Sequence, residues 1–140
     1  MKLHIIARGK IGRCPEADII ARYEKRIAWP LQITEIPDTG ERMQRLTPGT
    51  KIVALDERGD QLGSTAFATM LSKWRDESVP EVRFLVGAAD GLTSDERESA
   101  DRLIAFGRAT WPHLLVRAML VEQLYRATSI IAGHPYHREG

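Results

Sequence analysis

Short apolar runs alternate with segments of helical spacing along the whole chain, and this alternation restricts the fold more than any other feature. The runs are Leu3–Ala7, then Leu31, Ile33 and Ile36 stopped by Pro37, then Lys51–Asp56 (KIVALD), Val82–Val86 (VRFLV) and the very short Leu103–Phe106. Between them, Ile19, Ile20, Tyr23 and Ile27 share one helical face of a segment that opens on Pro15, a residue suited to a first turn. Ser64 is a predicted N-cap for a helix reaching about Asp76, with Phe67, Met70, Leu71 and Trp74 facing inward. A short acidic helix is predicted from about Ser94 to Arg102, and a long one from about Leu114 to Ile131. Gly59 is expected to end the turn after the third strand. Residues 38–50 (DTGERMQRLTPGT) are polar and read as a mobile loop. Strands alternating with helices define an α/β fold: a mostly parallel sheet with helices on both faces. No repeat and no linker divides the 140 residues, which read as one domain, 1–140.

Several function classes fall away on simple grounds. No apolar run reaches the 18 or more residues of a membrane span, and the apolar part of MKLHIIARGK is too short for a secretion signal. The single cysteine, Cys14, offers no disulfide framework. A cytoplasmic protein is therefore expected. Net charge is only +1, yet the basic residues are uneven: Lys and Arg outnumber Asp and Glu 9 to 6 over residues 1–50, trail 6 to 11 over 51–101, and lead 5 to 2 over 102–140. Fifteen of the 20 basic residues are arginine, which fits phosphate and base edges but equally fits a codon preference.

Ligands of parallel α/β sheets bind beyond the carboxyl ends of the strands. Here those ends are Leu55–Asp56, Gly87–Gly91 and Gly107–Pro112. The loop GAADG is neither a G-x-G-x-x-G fingerprint nor a phosphate loop, and no G-x-S-x-G elbow occurs, so dinucleotide, nucleoside-triphosphate and serine-hydrolase chemistry lack support. His134-x-x-His137 has no evident third ligand, so no metal is expected.

The last helix is apolar nearly all round, with Glu122, Arg126 and Ser129 in one narrow polar stripe. In a domain this small, the expected cover for such a helix is a second copy of the chain. Glu122 and Arg126 stand four apart and can pair, which is equally what a plain surface salt bridge would do. The tail HPYHRE gathers His134, Tyr136, His137 and Arg138, side chains able to move a proton or to contact RNA.

Residues 110–139, TWPHLLVRAMLVEQLYRATSIIAGHPYHRE, closely resemble the ribosomal RNA large subunit methyltransferase H family, whose pattern there runs TLPH, R, EQLYRA and PYHR. FLVGAADG (84–91), LDERG (55–59) and MKLHIIARGK resemble its glycine loop, its LD-x-x-G turn and its first strand. The resemblance implies a SPOUT-type fold with a C-terminal trefoil knot, a homodimer, and S-adenosyl-L-methionine as cofactor. It implies methylation of N3 of a pseudouridine in the helix 69 loop of 23S ribosomal RNA within the assembled ribosome. Carried over by position, the cofactor would be held by Leu55, Gly87, Ala88, Gly107, Arg108, Ala109, Thr110, Trp111 and Pro112, mainly through backbone groups. The chain departs from the family in having Ala88 for a second glycine, Trp111 for leucine, and a shorter 38–50 loop.

Methyl transfer is an in-line displacement at a sulfonium carbon, and the acceptor nitrogen must also lose a proton. His137 or Glu122 is expected to assist that proton, Arg138 or Arg126 to favour the anion, and Tyr136 to stack on the base. The competing expectation is a non-catalytic ribosome- or RNA-binding protein of the same fold, which need not retain cofactor affinity. A nucleotide-binding regulatory domain is a third, without a phosphate motif behind it.

Overall fold

The computed structural model describes residues 1–39 and 47–138. Most of the loop expected at 38–50 therefore lies outside the described residues, as does Glu139. The elements in chain order are β1 (Lys2–Arg8), α1 (Pro15–Glu24), β2 (Leu31–Ile36), β3 (Lys51–Asp60), α2 (Ser64–Asp76), β4 (Glu81–Val86), α3 (Ser94–Ser99), β5 (Arg102–Ile104) and α4 (His113–Ala132). The strands form one sheet in the order β2-β1-β4-β3-β5, and all pairings are parallel. No helix among the described residues is long and apolar enough to cross a membrane.

Side chains alternate between the two faces of a strand, and the faces are covered differently. Leu3, Ile5, Val53, Val82 and Phe84 meet α1, α2 and α4 through Ile20, Phe67, Leu71, Leu120 and Leu124 in the main core. Ile6, Ile52, Ala54 and Leu85 on the other face make a smaller core with Leu92, Ala100 and Leu103, beside α3. The expectation of helices on both faces holds, but three lie on one side and a single short helix on the other. Every residue of β4 is buried, as a central parallel strand requires.

Several boundaries differ from the sequence reading. Ser64 is the first residue of α2 and Gly63 is its N-cap; the Ser64 hydroxyl instead donates to Gln123 Oε1 at 2.8 Å. Packing against α4 uses the serine that propensity assigns to the cap. Gly59 does not end a turn: β3 runs on to Asp60 past a register irregularity and pairs again with Ile104. A Cβ at Gly59 would fall 2.5 Å from the Ile104 nitrogen, so this glycine permits backbone-to-backbone approach between β3 and β5. α1 stops at Glu24 rather than Ile27, and α3 at Ser99 rather than Arg102. β5 occupies Arg102–Ile104 rather than Leu103–Phe106. α3 is short yet well capped, by a reciprocal Thr93–Glu96 capping box.

The smaller-core side also buries a polar cluster near the start of the strands. His4 Nε2 lies 2.8 Å from Thr34 Oγ1, and His4 Nδ1 3.7 Å from Glu81, which pairs with Arg83 and Lys2. Burial above all, with the charges of Arg83 and Lys2, holds the His4 pKa below the ordinary 6.5 despite Glu81. Burial pushes the Glu81 carboxyl up, but the Arg83 bond and charge outweigh it and the group sits below the ordinary 4.5. The folded chain thus refuses a proton that the unfolded chain accepts at His4 below about pH 6.5, so stability falls as the pH drops through that value. Thermal melts between pH 7.5 and 5.5 are expected to show this loss, and His4→Gln to flatten it; an equal slope in both proteins would assign the loss to other groups.

Candidate active site

Beyond the carboxyl ends of β4, β3 and β5 the structure opens a cleft of about 260 Å³. Its inner wall is apolar: Leu55, Val86 and Ile104 are buried, and Val116 of α4 joins them. Asp56, Glu57, Asp90, Arg97 and His113 add polar groups. Of the nine residues expected at a cofactor site, Leu55, Gly87, Ala88, Gly107, Ala109, Thr110 and Trp111 line the cleft, while Arg108 and Pro112 belong to the same segment but do not line it. The geometric rule about strand ends thus located the cleft, because a parallel sheet leaves its loops converging on that edge.

The loops are held by local bonds. In the glycine loop the Gly91 N–H donates to the Ala88 carbonyl at 2.8 Å, and Gly91 takes φ of 80°. A Cβ on Gly87 would fall 2.5 Å from the Gly91 carbonyl carbon, so the loop closes only with glycine there. Across the mouth, the Thr110 hydroxyl donates to Glu57 Oε2 at 2.8 Å and joins the end segment of β3 to the loop before α4. The Trp111 indole N–H donates to the Phe106 carbonyl at 3.1 Å. Arg97 donates to the Leu92 carbonyl at 2.6 Å and lies 3.9 Å from Asp56.

Sequence reasoning assigns Arg117 no role, although a cation outside the polar stripe of an apolar helix is a signal. It is 1% exposed. Its Nη1 donates to Glu35 Oε2 at 2.6 Å, and its Nη2 donates to the carbonyls of Arg8 and Gly9 at 3.3 and 3.1 Å. Glu35 also accepts from the Ile11 N–H at 2.7 Å. Burial raises the Glu35 pKa, but these two donors outweigh it and keep the carboxylate below its ordinary range. α4 is thereby fastened to the ends of β1 and β2, one strand over from the cleft.

A second constellation forms at the other end of α4. Arg126 grips Glu122 Oε1 through Nε at 3.1 Å and Nη2 at 2.6 Å. The Tyr136 hydroxyl donates to the same oxygen at 2.9 Å, and the Arg126 guanidinium lies 4.7 Å from the Tyr136 ring centroid. Arg126 Nη1 stands 3.1 Å from His137 Nδ1. Because arginine only donates, Nδ1 must accept, which puts the proton of a neutral His137 on Nε2. Tyr23 and Tyr125 flank the Tyr136 ring at 6.4 and 4.5 Å. The Glu122 bond raises the Arg126 pKa further; burial first, then Tyr23 and Glu122, raise that of Tyr136. So the Glu122–Arg126 pair is half-buried and docks the tail, unlike a plain surface salt bridge. Of the five residues expected to act in catalysis, the structure brings Glu122, Arg126, Tyr136 and His137 together, while Arg138 is exposed. The His134 ring accepts from the Tyr136 N–H at 3.2 Å. Among the described residues no group of three or more His, Cys, Asp or Glu is placed to hold a metal.

Fold and cleft define a parallel α/β protein with its ligand site where loops converge beyond the strand ends. Comparison with known proteins narrows this. Residues 1–137 match the family described as "Predicted SPOUT methyltransferase". A protein of Rhizorhabdus wittichii called "Ribosomal RNA large subunit methyltransferase H" is 66% identical over 140 residues, all of both chains. Proteins of the same name are 62% identical in Sphingopyxis alaskensis, over all of this chain and 99% of that one, and 43% identical in Rhodopseudomonas palustris, over 99% of each. A probable methyltransferase structure from Bordetella pertussis Tohama I superposes with a TM-score of 0.62 over 90% of this chain and 93% of the other; at 16% identity it speaks for the fold alone. The chain belongs to the SPOUT methyltransferases and, within them, to the ribosomal RNA large subunit methyltransferase H family.

Tyr136→Phe removes the hydroxyl shared with Glu122 and leaves the ring. A loss of about 1 kcal/mol in tail docking is expected. Faster proteolysis within residues 133–138, with little change in the global urea midpoint, would show it; unchanged proteolysis would mean that ring packing alone holds the tail.

Proposed function

We propose that this chain, as a single domain, is a cytoplasmic methyltransferase. It transfers a methyl group from S-adenosyl-L-methionine to N3 of a pseudouridine in the helix 69 loop of 23S ribosomal RNA, within assembled ribosomes. The observation that carries the reading is end-to-end identity of 66% to a protein named for methylation of large-subunit ribosomal RNA. The cleft supports it independently, because it lies at the three loops that the family resemblance implied. The same reading includes a knotted passage of the chain into α4.

The cleft fits the cofactor chemically. Leu55, Val86, Ile104 and Val116 offer an apolar wall to a flat base. Asp56, Glu57 and Asp90 offer carboxylates to a ligand carrying ammonium and sulfonium charge. S-adenosyl-L-methionine, when bound, supplies the electrophilic methyl group. The loops Gly87–Gly91 and Gly107–Pro112 hold and orient the ligand, and the apolar wall excludes water.

The tail serves the acceptor. Arg126 and Glu122 neutralise each other and position Tyr136 and His137, while exposed Arg138 favours the deprotonated imide. For His137 to take the proton, its Nδ1 must first release Arg126, since Nε2 already carries hydrogen in the neutral ring. A site built from two chains is favoured by distance: Arg126 follows the cleft-lining Val116 by ten residues, so it stands roughly 15 Å along α4 from its own chain's cleft. A homodimer that places one protomer's tail against its partner's cleft removes that gap and covers the apolar faces of α4.

The test is transfer of labelled methyl groups to ribosomes lacking the modification, followed by mapping of the label in 23S RNA. Label at the pseudouridine is expected, with turnover lowered on the order of 100-fold in His137→Ala and in Arg138→Ala. Full turnover in both variants would remove the tail assignment. Cofactor binding without any transfer would overturn the proposed acceptor; absence of both would favour a non-catalytic ribosome-binding protein.

A further inference from the structure

Trp111 is the one large hydrophobic side chain left exposed among the described residues, at 41%. It lines the same cleft as buried Leu55, Val86 and Ile104, so it marks the rim while they mark the floor. Its one polar atom is already used: the indole N–H is bonded to the Phe106 carbonyl of its own loop. That bond restrains the ring and leaves its apolar surface without a polar task. An apolar surface of this size on a restrained ring is a binding anchor rather than a packing element.

The cleft's lining carries charge of both signs, Asp56, Glu57 and Asp90 with Arg58 and Arg97; Arg108 sits three residues before Trp111 in the same loop without lining the cleft. Arg58 and Arg108 are exposed, and neither side chain has an ion pair among the described residues. Two of the three carboxylates in the lining hold a partner through one oxygen or face a cation: Glu57 takes the Thr110 hydroxyl, and Asp56 takes the Arg58 backbone N–H and faces Arg97. A restrained aromatic face beside unpaired arginines is the arrangement that holds unpaired nucleotides, the ring by stacking and the cations by phosphate contact.

We propose that the Trp111 side chain is a stacking platform for an unpaired base of the RNA substrate, with Arg58 and Arg108 on the flanking phosphates. The proposal rests on the methyltransferase reading above and adds a substrate-recognising residue to it. On that reading the floor of the cleft and the backbone groups of its loops would hold the methyl donor, and an acceptor would approach over the rim for in-line transfer. The Trp111 backbone and side chain then serve different ligands.

The test uses two single-stranded oligoribonucleotides of equal length, one carrying bases and one wholly abasic, titrated against the full-length protein in the presence of S-adenosyl-L-methionine. Binding is read by anisotropy of a terminal dye. The wild type is expected to bind the base-containing strand about 5- to 100-fold more tightly, since stacking acts on the base while phosphate contacts are common to both. Trp111→Leu is expected to lose most of that preference, and Trp111→Phe to keep part of it. Calorimetry of cofactor binding and sedimentation on the same variants separate the indole's part in RNA binding from a part in the donor site or in a subunit contact. Equal binding of the two strands by the wild type, or a preference retained by Trp111→Leu, would overturn the proposal. So would a matching loss of cofactor affinity, which would place the indole on the donor, or dissociation of the protomers, which would make it a subunit contact. Failure of the methyltransferase reading is seen separately, as absence of methyl transfer by the wild type.

Discussion

The arrangement depends on a buried charge. Arg117 is taken out of water in the second turn of α4, and a guanidinium there is tolerable only when its charge is paired; both terminal nitrogens find acceptors, while Nε has none among the described residues. The matching groups are the Glu35 carboxylate at the end of β2 and two carbonyls at and just beyond the end of β1. α4 therefore meets the sheet at one place and in one orientation, because sliding it by a residue would strand the charge. Apolar contacts stabilise the helix but would tolerate other registers. Arg117 selects the register in which Val116 faces the cleft.

From that anchor α4 links two regions of different chemistry. Its first residues close a cleft with an apolar floor and a rim of charged groups, and the loops around it are fixed by short bonds such as Thr110 to Glu57. Its later turns carry Glu122 and Arg126, which draw the tail back so that Tyr136 and His137 lie against the helix. A methyl donor needs the first environment, apolar for a base and carboxylate-rich for positive charge. An acceptor that must lose a proton needs the second. About ten residues of α4 separate the two along the helix, the spacing on which the proposed two-chain site rests.

Much of this was legible in sequence. The strand–helix alternation gave a parallel α/β fold, and the rule that ligands lie beyond strand ends led to the residues that line the cleft. The tail motif, through its resemblance, pointed to the cluster around Glu122. Other features were not legible, and each for a physical reason. Ser64 has the composition of a cap, but a contact 59 residues away claims its hydroxyl. Gly59 looks like a turn glycine, but the requirement comes from β5, more than forty residues on. The role of Arg117 depends on partners on β1, β2 and the loop after β1, far off in the chain, which local spacing does not show.

The sequence by itself determined the element order, the apolar character of α4, the family and the loops that could form a site. These follow from local periodicity and from motifs carried on contiguous residues. Tertiary structure decided which of those residues meet. It placed Arg117 against the ends of β1 and β2, left Trp111 exposed at the rim, and locked His137 to Arg126 so that its ring nitrogen must accept. Long-range packing and the need to satisfy buried charge set those contacts, and neither is encoded in the spacing of neighbouring residues.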